Sequence, residues 1–225
     1  MNLPTSNKIC RRLIISTATA GLLAIFGFSL IEPTLTRGAD VGVSQTVSAE
    51  INLACDANVA GLSAIAGISG GTSNGTFNCT TTTNNSAGYN LTFKKNGLLL
   101  TAGGGADKQF DDYTGATGDP IDYNFAAPGA GVEYWGFNMT AGTDVATRFK
   151  DNGAACNIGG GNVTAAQCWV RVPTTPTVET VATRATATGG SGVQSSFGVR
   201  MQAGASNALQ SGTYTSTLVV TATML

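Results

Sequence analysis

The side chains with chemistry to offer are five cysteines, a cluster of aspartates and two tryptophan-bearing segments, and no histidine accompanies them. Without imidazole, the chain has no Ser–His–Asp triad, no His-ligated zinc and no histidine pH switch. Asp107, Asp111, Asp112, Asp119 and Asp122 form the acidic cluster. Calcium takes several carboxylate and carbonyl oxygens from a flexible loop, so these five are the candidate metal ligands. Their spacing does not follow the EF-hand pattern, and a solvated acidic loop is the reading adopted. A glycosidase needs only two suitably separated carboxylates, but acids are few and no aromatic groove is evident. No catalytic residue, enzyme activity or cofactor is expected. Gly103-Gly104-Gly105 and Gly159-Gly160-Gly161 lead into neither a GK[ST] nor a GxGxxG pattern, and read as loops rather than phosphate cradles. Tyr134-Trp135-Gly136-Phe137 and Trp169 could stack against sugar rings, which makes Trp135, Phe137 and Trp169 the candidate glycan-binding residues. The competing assignment is core packing, the commoner fate of strand aromatics. An extracellular carbohydrate-binding module is the alternative function this allows.

The N-terminal segment decides where such chemistry would operate. Lys8, Arg11 and Arg12 precede an uncharged run from Leu13 to Ile31, broken by Glu32-Pro33 and followed by Thr36-Arg37-Gly38-Ala39. That order reads as an export signal over residues 1–39, cleaved near Gly38 or Ala39. The run of 19 residues is long for a signal sequence, so an uncleaved signal anchor is the second reading. Gly27-Phe28-Ser29-Leu30-Ile31-Glu32 has the look of a prepilin cleavage motif, but the apolar run precedes it and Pro33 follows. No filament helix can be built from that arrangement. The localisation expected is extracellular or at the cell surface.

Export makes the cysteines a redox question. With Cys10 gone in the leader, Cys55, Cys79, Cys156 and Cys168 remain, an even count that suits two disulfides. Three connectivities are open; Cys55 with Cys79 and Cys156 with Cys168 are preferred because each pair closes a short local loop. Removing the leader takes four basic residues and one acidic one, leaving 8 against 12 and a net charge of −4. A chain without a basic patch is a poor partner for a phosphate backbone, so no nucleic acid is expected.

Elements must then be found to carry these residues. Val41, Val43, Val47, Ala49, Ile51, Leu53 and Cys55 alternate with polar residues, which predicts one long strand over 41–55. Leu62, Ile65 and Ile68 are available to tuck beneath the glycine- and serine-rich link that follows. Phe77, Cys79, Thr81 and Thr83 share a strand face; Asn84 to Gly88 is a turn, and Tyr89, Leu91 and Phe93 alternate beyond it. Asn96-Gly97 predicts a tight hairpin with Leu98 to Leu100 returning. After a loop-like stretch from Thr101 to Ala130, further strands are read around Val132–Met139, Cys168–Val172, Val178–Ala187, Val193–Met201 and Tyr214–Met224. The whole reads as all-β, an Ig-like or jelly-roll sandwich in a single domain over 40–225, with a disulfide-closed insertion around 141–176.

Ile51-Asn52-Leu53-Ala54-Cys55, then Thr76-Phe77-Asn78-Cys79 leading to Gly88-Tyr89-Asn90-Leu91, and the ending Ser211-Gly212-Thr213-Tyr214-Thr215-Ser216-Thr217-Leu218-Val219-Val220 carry a family pattern. Over roughly residues 43–225 the chain resembles secreted bacterial spore coat protein U and fimbrial-type surface domains. The resemblance implies an Ig-like sandwich, a disulfide between Cys55 and Cys79, and a structural or adhesive role. It also implies that subunits can associate with one another, or with other surface subunits, by donating a strand; the residues equally allow the strand over 41–55 to complete its own sheet, and that is the reading adopted.

Overall fold

The computed structural model describes residues 42–101, 109–114, 121–174 and 176–225. Eight strands lie among them: β1 (Ile51–Cys55), β2 (Gly71–Thr83), β3 (Tyr89–Thr101), β4 (Gln109–Asp112), β5 (Glu133–Gly142), β6 (Glu179–Arg184), β7 (Val193–Ala203) and β8 (Tyr214–Met224). Hydrogen bonds run in the order β1-β2-β7-β5-β4-β3-β6, with β8 added on β3. The protein is therefore all-β, as the alternation of its residues predicts.

Two layers result. β1, β2, β7 and β5 are antiparallel neighbours in one, and β3 with β6 and β8 makes the other. β4 joins them: Gln109 and Phe110 pair antiparallel with β3, whereas Asp111 and Asp112 pair parallel with β5. The faces meet through phenylalanines. Phe93 of β3 lies 4.3 Å from Phe137, 5.5 Å from Phe197 and 6.2 Å from Phe77, measured between ring centroids, and Phe77 stacks on Phe197 at 4.6 Å. β2 shows how sequence produces this layer. Ser73, Gly75, Phe77, Cys79, Thr81 and Thr83 are buried on alternate positions while their neighbours face outward.

Three sequence expectations are corrected. The strand predicted over 41–55 is formed only from Ile51 to Cys55. Its partner β2 ends where Thr83 meets Ile51, and the chain then turns through Asn84 to Gly88, leaving no ladder for the earlier residues. The Asn84 side chain bonds Ser48 and Glu50 backbone groups in its place. Asn96-Gly97 is no hairpin either. β3 runs straight through it with a register shift against β8 between Asn96 and Leu100, and Gly97 has φ +81°. The left-handed glycine serves a bulge rather than a reversal. Leu62 and Ile68, finally, are not tucked away: both are exposed, and only Ile65 packs against the core.

The stretch between β5 and β6 holds one 3-10 turn (Thr147–Phe149) and the bonded pair Cys156–Cys168. It is part of the core rather than an appendage, because Val145, Phe149, Val170 and Val172 are buried in the main cluster. Arg148 forks onto Glu179 of β6 at 3.0 and 3.1 Å, and Arg184 reaches Asp144 at 3.1 Å. Beside Arg184, Gly88 is required by space and backbone alike. Its φ is +85°, and a Cβ there would sit 1.9 Å from the Arg184 carbonyl oxygen.

Because Phe93 touches three aromatic rings from the opposite layer, Phe93→Ala should destabilise by about 3–5 kcal/mol, the usual cost of emptying an aromatic site in a core. Urea unfolding followed by tryptophan fluorescence measures it. Thr92→Ala, on the opposite side of the same strand, should cost under about 1 kcal/mol.

Candidate functional site

The aromatic residues proposed for sugar stacking are in the interior. Trp135 and Phe137 are 1% and 0% exposed and Trp169 is 3% exposed, so none presents a ring face to a pyranose. This corrects the platform reading, and the physical reason is the inward side of β5. Phe137 packs between Phe93 and Phe149. Trp169 belongs to a second small cluster with Tyr113 and Phe125. Its indole N–H donates to the Ala166 carbonyl, and the Arg200 guanidinium covers its ring at 4.8 Å. Arg200 in turn donates to Asn74 Oδ1 at 2.7 Å, and burial lowers its pKa.

The described aspartates, Asp111, Asp112 and Asp122, do not converge. Asp107 and Asp119 lie outside the described residues. Asp111 is exposed and accepts from Gln109, Asp122 accepts from the Tyr113 hydroxyl, and Asp112 pairs with Lys95. Among the described residues no three carboxylate, thiolate or imidazole groups are placed to share a metal ion. Adjacent positions on β4 explain part of this, since Asp111 and Asp112 must leave the strand on opposite faces.

Four cysteines are joined as Cys55–Cys79 and Cys156–Cys168. The first bond follows from register, because the two residues are direct partners in the β1–β2 ladder with Cα atoms 4.0 Å apart. Two disulfides point to an oxidising, extracellular environment. Among the described residues no helix is long and apolar enough to cross a membrane. The residues read as a leader, 1–39, lie outside the described part.

What sequence reading missed is the groove beside β8. One edge of β8 is spent on β3 over most of its length. Among the described residues no strand but β3 pairs with β8, and residues 55–59, 62–65, 67 and 68 share cavities with it. These two cavities have volumes of about 600 and 580 Å³. The first is lined by Leu62, Ile65, Ile68, Phe110, Met201, Leu209 and Tyr214; the second lies between Asp56–Val59, Phe77 and Ser216–Val220. Apolar core residues therefore reach the floor of an open cleft. The β8 sequence, from Tyr214 to Met224, contains no charged residue and no proline. Those are the usual devices that stop a strand edge from pairing with another chain. Upstream, Val43 and Val47 are 93% and 80% exposed, and residues 42–50 belong to no strand. Alternation made these valines visible in the sequence, but their exposure is a property of the fold.

No protein-family model and no curated protein sequence matches this chain.

Buried phenols set the alkaline limit of the fold. Burial raises the pKa of Tyr113, with Asp122 adding to the rise, and burial followed by Asp144 does the same for Tyr89. Above the ordinary tyrosine value of 10.0 the unfolded chain releases protons that the folded chain keeps. Stability from these groups is thus unaffected below about pH 10 and falls as pH rises beyond it. Urea midpoints measured from about pH 8 to about pH 11 should drop at the alkaline end, and Tyr113→Phe should shallow that drop.

Proposed function

We propose that this protein is an exported structural or adhesive cell-surface protein whose copies associate by pairing strands, as a subunit of a coat or fimbria-like assembly. The observation that carries the reading is the side of β8 that pairs with no strand among the described residues: 11 residues without a charge or proline, bordered by an apolar cleft. Edge strands of that kind accept an added strand, with main-chain hydrogen bonds supplying affinity and alternate side-chain pockets supplying register. The occupant is the segment ending at Ala49 in a second copy. Its valines at 43 and 47 are four positions apart, so in an extended chain both face the same way. The eight residues 42–49 span roughly 26 Å when extended, within the roughly 36 Å of the 11-residue β8. Residues 42–50 belong to no strand in the single subunit.

Two disulfides support the placement of such an assembly outside the cell, where thiols oxidise. The similarity to coat and fimbrial domains in the segments around Cys55, Cys79 and Tyr214 is consistent with the same role. Glycan binding through Trp135, Phe137 and Trp169 is not retained, because their rings are covered.

Analytical ultracentrifugation of the exported protein over a wide concentration range should show association into dimers and longer species. Val43→Asp with Val47→Asp should leave a monomer with an unchanged urea midpoint, since both side chains are solvent-facing in the single subunit. A wild-type protein that stays monomeric at about 100 µM, some hundredfold above a micromolar Kd, would sink the proposal.

A further inference from the structure

The inward row of β3 runs Tyr89, Leu91, Phe93 and then Lys95, all 0% exposed. A lysine in that row is chemically out of place. Buried ammonium groups are tolerated when paired, yet an apolar side chain of similar volume serves a core as well or better. Lys95 Nζ donates to Asp112 Oδ1, and the Trp135 ring lies over it with its centroid 5.1 Å from Nζ. The Trp135 indole N–H is itself buried without a hydrogen-bond partner. The carboxylate is placed differently. The Asp112 side chain is 30% exposed, at a small cleft lined by Arg171, Val172, Pro173 and Thr174. The amine is therefore dry, whereas the acid has one side open to water.

We propose that Lys95 and Asp112 become joined by an intramolecular isopeptide bond, formed by the folded protein on itself. The step needs no outside reagent. A proton passes along the hydrogen bond from the ammonium to the carboxylate, converting the ion pair into a neutral amine and a neutral acid. Low polarity favours that neutral pair. Burial, with the Arg171 charge adding to it, lowers the Lys95 pKa to about 8, which makes the neutral amine accessible. Asp112 and Arg171 are the ionisable groups that face the amine among the described residues. The nitrogen lone pair then attacks Asp112 Cγ and a C–N bond forms. The nitrogen gives up one proton to the departing hydroxyl, the C–O bond breaks, and one water leaves through the cleft. Nothing is oxidised or reduced, and water is the sole by-product. Because the fold already holds both groups together, the entropic cost of bringing them into contact is met in advance. Exclusion of water on the amine side opposes the reverse hydrolysis. The resulting amide would tie β3 to β4 at the seam between the layers, a third covalent brace beside the two disulfides.

The test is tandem mass spectrometry of the reduced, denatured, trypsin-digested wild-type protein, purified in its folded form. The expected result is a branched peptide joining the Lys95 and Asp112 segments, lighter than their sum by one water, in most molecules and with no cleavage after Lys95. Asp112→Asn, which leaves the ammonium no carboxylate to receive its proton, should yield no branched peptide, and Asp112→Ala should likewise yield none. Separate Lys95 and Asp112 peptides at full mass, from wild-type protein shown to be folded by circular dichroism, would overturn the proposal. The wild-type digest decides the matter even if a variant fails to fold.

Discussion

The packing of Phe93 against Phe77, Phe137 and Phe197 is the contact on which the rest of this protein depends. It is where residues from four strands in two layers meet. Each ring removes a large apolar area from water, and tilted or offset arrangements of the rings add to that. Such a contact works only if every participating strand holds its register, because a slip of one residue would turn each ring to the solvent face. The ladder from Phe77 through Phe197 to Met139, and the pairing of Phe93 with Val220, are the register statements that keep the rings inward. β4, short and shared between layers, closes the seam beside them.

Completeness of the core and incompleteness of the edge are two sides of one arrangement. β3 carries neighbours on both sides, with β8 along one and β6 and β4 along the other. β8 spends one edge on β3, and among the described residues no other strand pairs with it. Apolar side chains such as Met201 and Phe110 thus line a cleft instead of being fully sealed. A sandwich closed in this way keeps its packing in the centre and leaves apolar surface in a cleft at the rim.

Legibility in the sequence followed the range of each signal. Phe77, Cys79, Thr81 and Thr83 were readable as one face because strand alternation has a period of two residues and requires no partner. The same rule overextended β1, since alternation continues back to Val41 while the partner strand stops at Thr83. Asn96-Gly97 carried a correct backbone preference and the wrong topology, because a left-handed glycine suits a bulge as well as a turn. For Trp135, Phe137 and Trp169 residue type allowed either a core or a platform, and only burial distinguishes the two. Lys95 gave no signal at all, as a lysine beside Asn-Gly resembles any solvated turn residue.

What the amino-acid sequence determined by itself is therefore local or compositional. It determined an all-β chain, an even set of cysteines beyond the N-terminal segment, and the absence of any imidazole chemistry. The tertiary structure decided which cysteine meets which, which aromatic faces are covered, which strand edge is left open, and that Lys95 meets Asp112. The reason is physical. Side-chain alternation is written residue by residue along the chain, whereas pairing is a choice among distant segments that only the competition for one shared core can settle.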